Sequence, residues 1–210
     1  MKEYQKIETL FKFDEKQKRF IPEINNPIVK YLRDVAWLGS EKIDGMNIRV
    51  HWDGKSFEFG GRTDNAEIPK AVMEILTNKF NYDMEVIFEQ KFGDKDVYVF
   101  CEAYGGKIQN GAYSCDTSLI GYDIMVNDIY LDRTVTQNIL EQIGIQCVPF
   151  IMFSNLDEAI EFVQEHEKSL SHPEDNLEGV VCVPIERIYD HMGNRIIVKI
   201  KKKDLLKTNF

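Results

Sequence analysis

The residues best suited to chemistry begin with Lys42-Ile43-Asp44-Gly45. A lysine amine that has shed its proton is a nucleophile toward electrophilic centres such as a nucleotide phosphorus. An Asp-Gly pair after it is equally an ordinary turn, so the tetrapeptide alone carries little weight. Further islands follow in order: Gly61-Arg62-Thr63, Glu102-Ala103-Tyr104-Gly105, Tyr122-Asp123-Ile124, Glu178-Gly179 and Lys199-Ile200-Lys201. Each has a chemical reading and a plainer one. The Arg62 guanidinium can bind ribose or phosphate in fork geometry, or be a surface arginine. Glu102 follows an apolar run, where a carboxylate needs a partner: a ribose hydroxyl or a salt bridge. Tyr122 alternates onto the side of Ile120 and Ile124, where its ring can stack on a base or fill a core, with Asp123 on the opposite side. Glu178 is the best candidate to hold a divalent cation, directly or through water. Lys199 and Lys201 alternate with Val198 and Ile200, so both ammonium groups leave one face of a strand. There they can bind phosphates and favour the neutral amine of Lys42, or simply guard an exposed sheet edge. Asp44 lies close enough to Lys42 in sequence to assist leaving-group or metal organisation.

These residues need a frame. Ile7 to Phe13 reads as extended, and Asn26-Pro27 opens a short helix through Leu32. Ile48 to Trp52 and Ser56 to Phe59, joined by Asp53-Gly54, read as a β-hairpin that Lys42 precedes. Val72, Ile75, Leu76 and Phe80 have helical spacing after Pro69. Val97 to Cys101 and Leu119 to Val126 read as strands. Helices follow at Leu131 to Ile143, ended by Gly144, and at Leu156 to His166, capped by Ser154 or Asn155, with Ile160 and Val163 inward. Gly179 to Val183 and Arg195 to Lys201 close the chain as strands joined through Gly193-Asn194. This mixed order is that of an α+β fold.

Composition narrows the field. With 210 residues, 43% apolar and 29% charged, the chain suits one soluble domain over residues 1–210. No stretch is apolar enough to span a membrane and the N-terminus lacks a secretory core, so a cytoplasmic protein is expected. The four cysteines lie far apart and the four histidines form no ligand pair, so a bound metal must be held by oxygen. A net charge of −9 argues against non-specific coating of nucleic acid, yet Arg187, Arg195, Lys199, Lys201, Lys202, Lys203 and Lys207 gather basic charge near the end.

Taken together, the islands resemble motifs I, III, IIIa, IV and V of the covalent nucleotidyltransferase superfamily of ATP-dependent ligases and RNA capping enzymes, over about Glu41 to Lys203. Within it the chain looks most similar to RNA ligases of the RNA ligase 2 type. Glu102-Ala103-Tyr104-Gly105-Gly106-Lys107-Ile108-Gln109, Gly61-Arg62-Thr63, Leu119 to Ile124 and the opening Lys6 to Phe11 carry that likeness. The resemblance implies an ATP-grasp-like adenylyltransferase domain with antiparallel sheets flanked by helices. It also implies ATP as cosubstrate, with Mg2+ or Mn2+. Lys42 would become lysyl-AMP; AMP would pass to a 5′-phosphate end, and a 3′-hydroxyl would displace it, in RNA repair. Lys42, Asp44, Lys199 and Lys201 are the catalytic candidates. Lys42, Arg62, Glu102, Tyr122, Lys199 and Lys201 would contact the nucleotide, Gly45 and Asp123 would support the site, and Glu178 would hold the metal. RNA, possibly as a nicked duplex, is the expected partner. The short sequence after the last motif suggests a minimal form without a C-terminal domain, with a separate protein helping to grip the strands. The alternatives are a minimal ATP-dependent DNA nick-sealing ligase and a noncatalytic nucleotide-binding module.

Overall fold

A computed structural model describes residues 1–206; Lys207, counted above in the basic C-terminal run, lies outside the described residues. In chain order the elements are β1 (Glu8–Thr9), β2 (Phe11–Asp14), β3 (Arg19–Ile24), α1 (Pro27–Tyr31) and β4 (Trp37–Glu41). There follow β5 (Met46–Trp52), β6 (Phe57–Gly60), α2 (Lys70–Lys79), α3 (Tyr82–Phe92) and β7 (Val97–Tyr104). After a 3-10 turn (Ile108–Asn110) come β8 (Ser118–Val126), β9 (Ile129–Tyr130), α4 (Arg133–Gln142), β10 (Gln146–Cys147) and β11 (Phe150–Phe153). Finally α5 (Leu156–Glu165), β12 (Gly179–Pro184), β13 (Val198–Lys201) and α6 (Lys202–Leu205) complete the set. The α+β class expected from the alternation of patterns is the one observed.

The chain falls into two compact units: Met1–Tyr4 with Asp44–Val148, and Gln5–Ile43 with the segment from Pro149 onward. In the second, a 5-stranded sheet runs β1-β13-β12-β4-β11 beside the separate β2-β3 pair. All its pairings are antiparallel except the short parallel contact of β1 with β13. Its core joins Leu10, Val29, Trp37, Leu156, Ala159, Val163, Val180, Val198 and Ile200. Helix α1 starts where expected because the Asn26 side chain accepts from the Ile28 and Val29 amides while Pro27 occupies the first turn. Helix α5 is capped by Asn155, which accepts from the Glu158 amide. Strand β13 begins at Val198 rather than Arg195, because the Gln5 side-chain amide takes both backbone groups of Arg195, at 2.7 and 3.1 Å.

In the first unit, β10-β8-β7-β5-β6 form the main run of a 6-stranded sheet, with β9 on β8. Strand β7 is apolar except at Glu102, because both its faces are covered. On one face Ile48, Val50, Trp52, Val99, Cys101 and Ile124 pack with Val72, Leu76, Phe88 and Leu140 from the helices. Helix α3 was not anticipated from sequence. It buries only the narrow stripe Phe88 and Phe92, and Asn81 caps it by accepting from the Met84 amide.

Candidate active site

Lys42 follows β4 directly, and its backbone is fixed before its side chain is considered. The Lys42 amide donates to the Gly179 carbonyl at 2.9 Å, and the Glu41 amide to the Pro149 carbonyl at 2.9 Å. The Lys42 ammonium lies 2.6 Å from one oxygen of Glu178, whose other oxygen lies 3.1 Å from the Lys201 ammonium. Glu178 is brought there by register. It immediately precedes β12, where Gly179 is paired with Lys201 and Val181 with Lys199, and its carbonyl accepts from the Lys202 amide at 2.9 Å. Only glycine fits after it: a Cβ at Gly179 would stand 2.0 Å from the Ile200 carbonyl oxygen.

The alternation expected of β13 holds, with Val198 and Ile200 in the core and Lys199 and Lys201 on the other face. The edge-guard explanation of these lysines does not hold, because β13 is flanked by β1 and β12 and is an interior strand. Lys42, Lys199, Lys201 and Glu178 together carry more positive than negative charge, which suits an anionic ligand. Lys42's nitrogen is occupied by an ion pair, and attack requires its release.

Glu41, which sequence reasoning passed over, is 3% exposed. Its carboxylate accepts from the Ser169 and Ser171 hydroxyls and from the Leu170 and Ser171 amides, at 3.2 and 2.8 Å for the amides. A buried carboxylate with four donors is satisfied, and it ties the 169–171 segment to the residue before Lys42.

The remaining predicted residues belong to the other unit. Asp44 opens it, its amide donating to the Tyr113 hydroxyl at 3.3 Å. Gly45 is needed for close approach: a Cβ there would lie 2.3 Å from the Ala103 carbonyl oxygen and 2.7 Å from Glu102 Cγ. The glycine of the Asp-Gly pair is thus a packing requirement against β7. Across the sheet, Asn47, Glu102 and Ile120 stand in register, followed by Arg49, Phe100 and Asp123. Glu102 is half-buried and Arg62 exposed.

Tyr122 and Asp123 require a correction. Alternation put Tyr122 with Ile120 and Ile124, and Asp123 opposite. A bulge at Phe100/Cys101 leaves Tyr122 as the extra residue of β8. Tyr122 consequently packs beside Phe100, Tyr4 and Tyr130, while Ile124 enters the helix-covered core. Asp123 faces the Tyr122 side, accepting from the Tyr4 hydroxyl at 2.6 Å. The Tyr4 ring meets Tyr122 edge-on at 5.2 Å.

Asn47 is a second residue missed from sequence. Its Nδ2 donates to the Tyr122 hydroxyl, and its Oδ1 is buried without a hydrogen-bond partner, a group that a ligand donor would satisfy. Burial, with the Glu102 carboxylate next, pushes the Tyr122 phenol well above its ordinary value, so it stays neutral and able to donate. The signal was present in the polar alternation of Asn47, Arg49 and His51 along β5.

Among the described residues no group of three or more His, Cys, Asp or Glu gathers to hold a metal ion. A magnesium-sized cation needs less: one or two carboxylates completed by phosphate oxygens and water. Glu178 fits that description, at the expense of an ion pair it now makes.

Comparison with known proteins follows the same lines. The profile of a family described as RNA ligase matches residues 35–201. A Naegleria gruberi RNA ligase mutant solved with AMP and Mn superposes with a TM-score of 0.65 at 15% identity, covering 96% of this chain and 60% of that one. The Naegleria gruberi RNA ligase with PPi gives 0.65, 15%, 96% and 60%. At that identity the likeness is one of fold. A D-alanine--D-alanine ligase of Streptococcus gordonii is 23% identical over 157 residues, covering 67% of this chain and 44% of that protein. The chain thus spans less than two thirds of the length of these proteins.

Proposed function

The chain belongs to the RNA ligase family, and on that premise we propose that it is an ATP-dependent RNA ligase. It joins 5′-phosphate and 3′-hydroxyl ends through lysyl-AMP and an adenylated 5′ end. The observation that carries this reading is the Lys42–Glu178–Lys201 set, a nucleophile held at a fixed backbone position among surplus cations. Lys42 Nζ attacks the α-phosphorus of ATP; the P–N bond forms as the bond to pyrophosphate breaks, and the amine proton is released. Lys199 and Lys201 bind the phosphates and offset the charge that develops on them. Glu178 is the residue to hold Mg2+ or Mn2+; such an ion, when bound, neutralises phosphate oxygens.

In the other unit, Glu102 and Arg62 are assigned to ribose or phosphate, and Tyr122 and Asn47 to recognition of the nucleoside. Gly45 and Asp123 support these residues. Asp44 organises the leaving group or metal in later steps. We further propose that both units act as one adenylyltransferase domain, in the cytoplasm and in RNA repair, with strand binding aided by a separate protein. Among the described residues no helix is long and apolar enough to cross a membrane.

The test is incubation with labelled ATP and magnesium or manganese, followed by denaturing electrophoresis. An acid-labile AMP adduct that disappears in Lys42→Ala is expected; its absence in the unmodified protein sinks the proposal and favours a noncatalytic binding module. Nicks with ribonucleotides at the 3′-hydroxyl side should be sealed faster than all-DNA nicks, and the reverse order makes the protein a DNA ligase.

A further inference from the structure

Arg49 is a charged residue in the interior of a sheet. It stands on β5 between Gly60 of β6 and Phe100 of β7, with 0% exposure. Burying a guanidinium is costly unless its donors are satisfied, and an apolar side chain would fill the position without that cost. Its donors go to two segments, the one that bears Arg62 and the first two residues of the chain. Nε donates to the Gly61 carbonyl at 2.6 Å, and Nη2 to Asp64 Oδ1 at 2.9 Å. Nη1 donates to the Met1 and Lys2 carbonyls at 3.1 and 3.2 Å. Gly61 and Asp64 bracket Arg62-Thr63. The Ala66 amide closes the segment by donating to the Thr63 carbonyl at 3.1 Å. Arg62 itself is exposed.

We infer that Arg49 is a positioning residue: by gripping the Gly61 carbonyl and the Asp64 carboxylate, it holds rigid the segment that presents Arg62 to the nucleotide. The inference rests on the reading of Arg62 given above. An exposed arginine loses conformational freedom when it binds; fixing the backbone on both sides of it lowers that cost. The guanidinium suits the task because one planar group reaches several acceptors at fixed angles, which a lysine cannot do. Asp64 responds in kind, its carboxyl held below the usual carboxylate range chiefly by the hydrogen bond from Arg49.

The test compares ATP-dependent adenylation of Lys42 across ATP concentrations in the unmodified chain, Arg62→Ala, Arg49→Met, Asp64→Ala and the Arg62→Ala/Arg49→Met double variant. Arg62→Ala should raise KM for ATP about tenfold, the loss of one charge-assisted contact. Arg49→Met should raise KM to within about threefold of that value at little changed kcat, and the double variant should be no worse than Arg62→Ala. Asp64→Ala, at an exposed residue whose loss leaves Arg49 its three carbonyl acceptors, should show a smaller rise that vanishes in the Arg62→Ala background. Multiplying effects, or a lowered melting temperature at unchanged KM, overturn the positioning role and leave the Arg62 reading standing. If Arg49→Met fails to fold, Asp64→Ala decides by the same criterion. An unchanged KM in Arg62→Ala removes the Arg62 reading, and this inference with it.

Discussion

In the unit that carries Lys42, charge is set against charge: one carboxylate, Glu178, serves two ammonium groups. In the unit that carries Glu102, neutral partners stand out beside the Arg49–Asp64 ion pair. Carbonyls take most of the Arg49 donors, a phenol donates to Asp123, and an amide donates to Tyr122. The difference separates two kinds of readiness. Paired ions of opposite sign can be redistributed when a charged ligand arrives, because the ligand can replace either partner. Neutral hydrogen bonds of fixed direction keep their geometry and serve recognition.

Substitutions can break this contrast. Lys42→Met should reduce adenylation by at least about 10³-fold with the fold retained, as removal of a nucleophile does; labelling with ATP and a melting curve check both halves. Glu178→Gln leaves two lysines without their shared counter-charge. A loss of about 3–5 kcal/mol in stability is expected, with adenylation falling about 10²-fold. Denaturant titration and single-turnover labelling measure these. An unaltered stability would mean that the ion pairs contribute nothing. In the unit that carries Glu102, Tyr4→Phe removes one donor to buried Asp123 and should cost about 1 kcal/mol, with adenylation less affected than by Glu178→Gln. The reverse ranking would erase the distinction drawn between the units.

The smallest expected effect treats both units alike. Burial pushes the Cys101 and Cys182 thiols up to about 12, from an ordinary 9.0. Their folded-state values are raised, so the stabilisation is complete below pH 9 and is lost as pH rises toward about 12. Neither thiol should react with iodoacetamide at pH 8 until the protein unfolds. Mass spectrometry of alkylated peptides tests that.

Much of this was legible in the sequence. The hairpin β5-β6 announced itself through alternation and Asp53-Gly54, and the faces of β13 through the alternation of Val198 and Ile200 with Lys199 and Lys201. Those patterns are local, and burial followed them. Helix α3 was hidden because two buried phenylalanines make too narrow a stripe. The bulge in β8 was hidden because it belongs to pairing with another strand, so Asp123 was assigned to the wrong side and Ile124 was wrongly grouped with Tyr122. Glu41 and Asn47 went unnoticed for the same reason: their partners, at 169–171 and 122, are distant in sequence. For the proposed adenylation roles, residue types and order were legible in the sequence, and the geometry adds the company each residue keeps.

The opening residues have a practical consequence. Glu8 and Thr9 pair with Val198 and Lys199, and the Leu10 amide donates to the Lys199 carbonyl at 3.0 Å. Met1 and Lys2 supply acceptors to a guanidinium with no exposure. Trimming the first ten residues to obtain a tidier sample would strip a neighbour from the strand bearing two of the lysines, and would leave Arg49 short of acceptors. A purification tag is better placed away from this end.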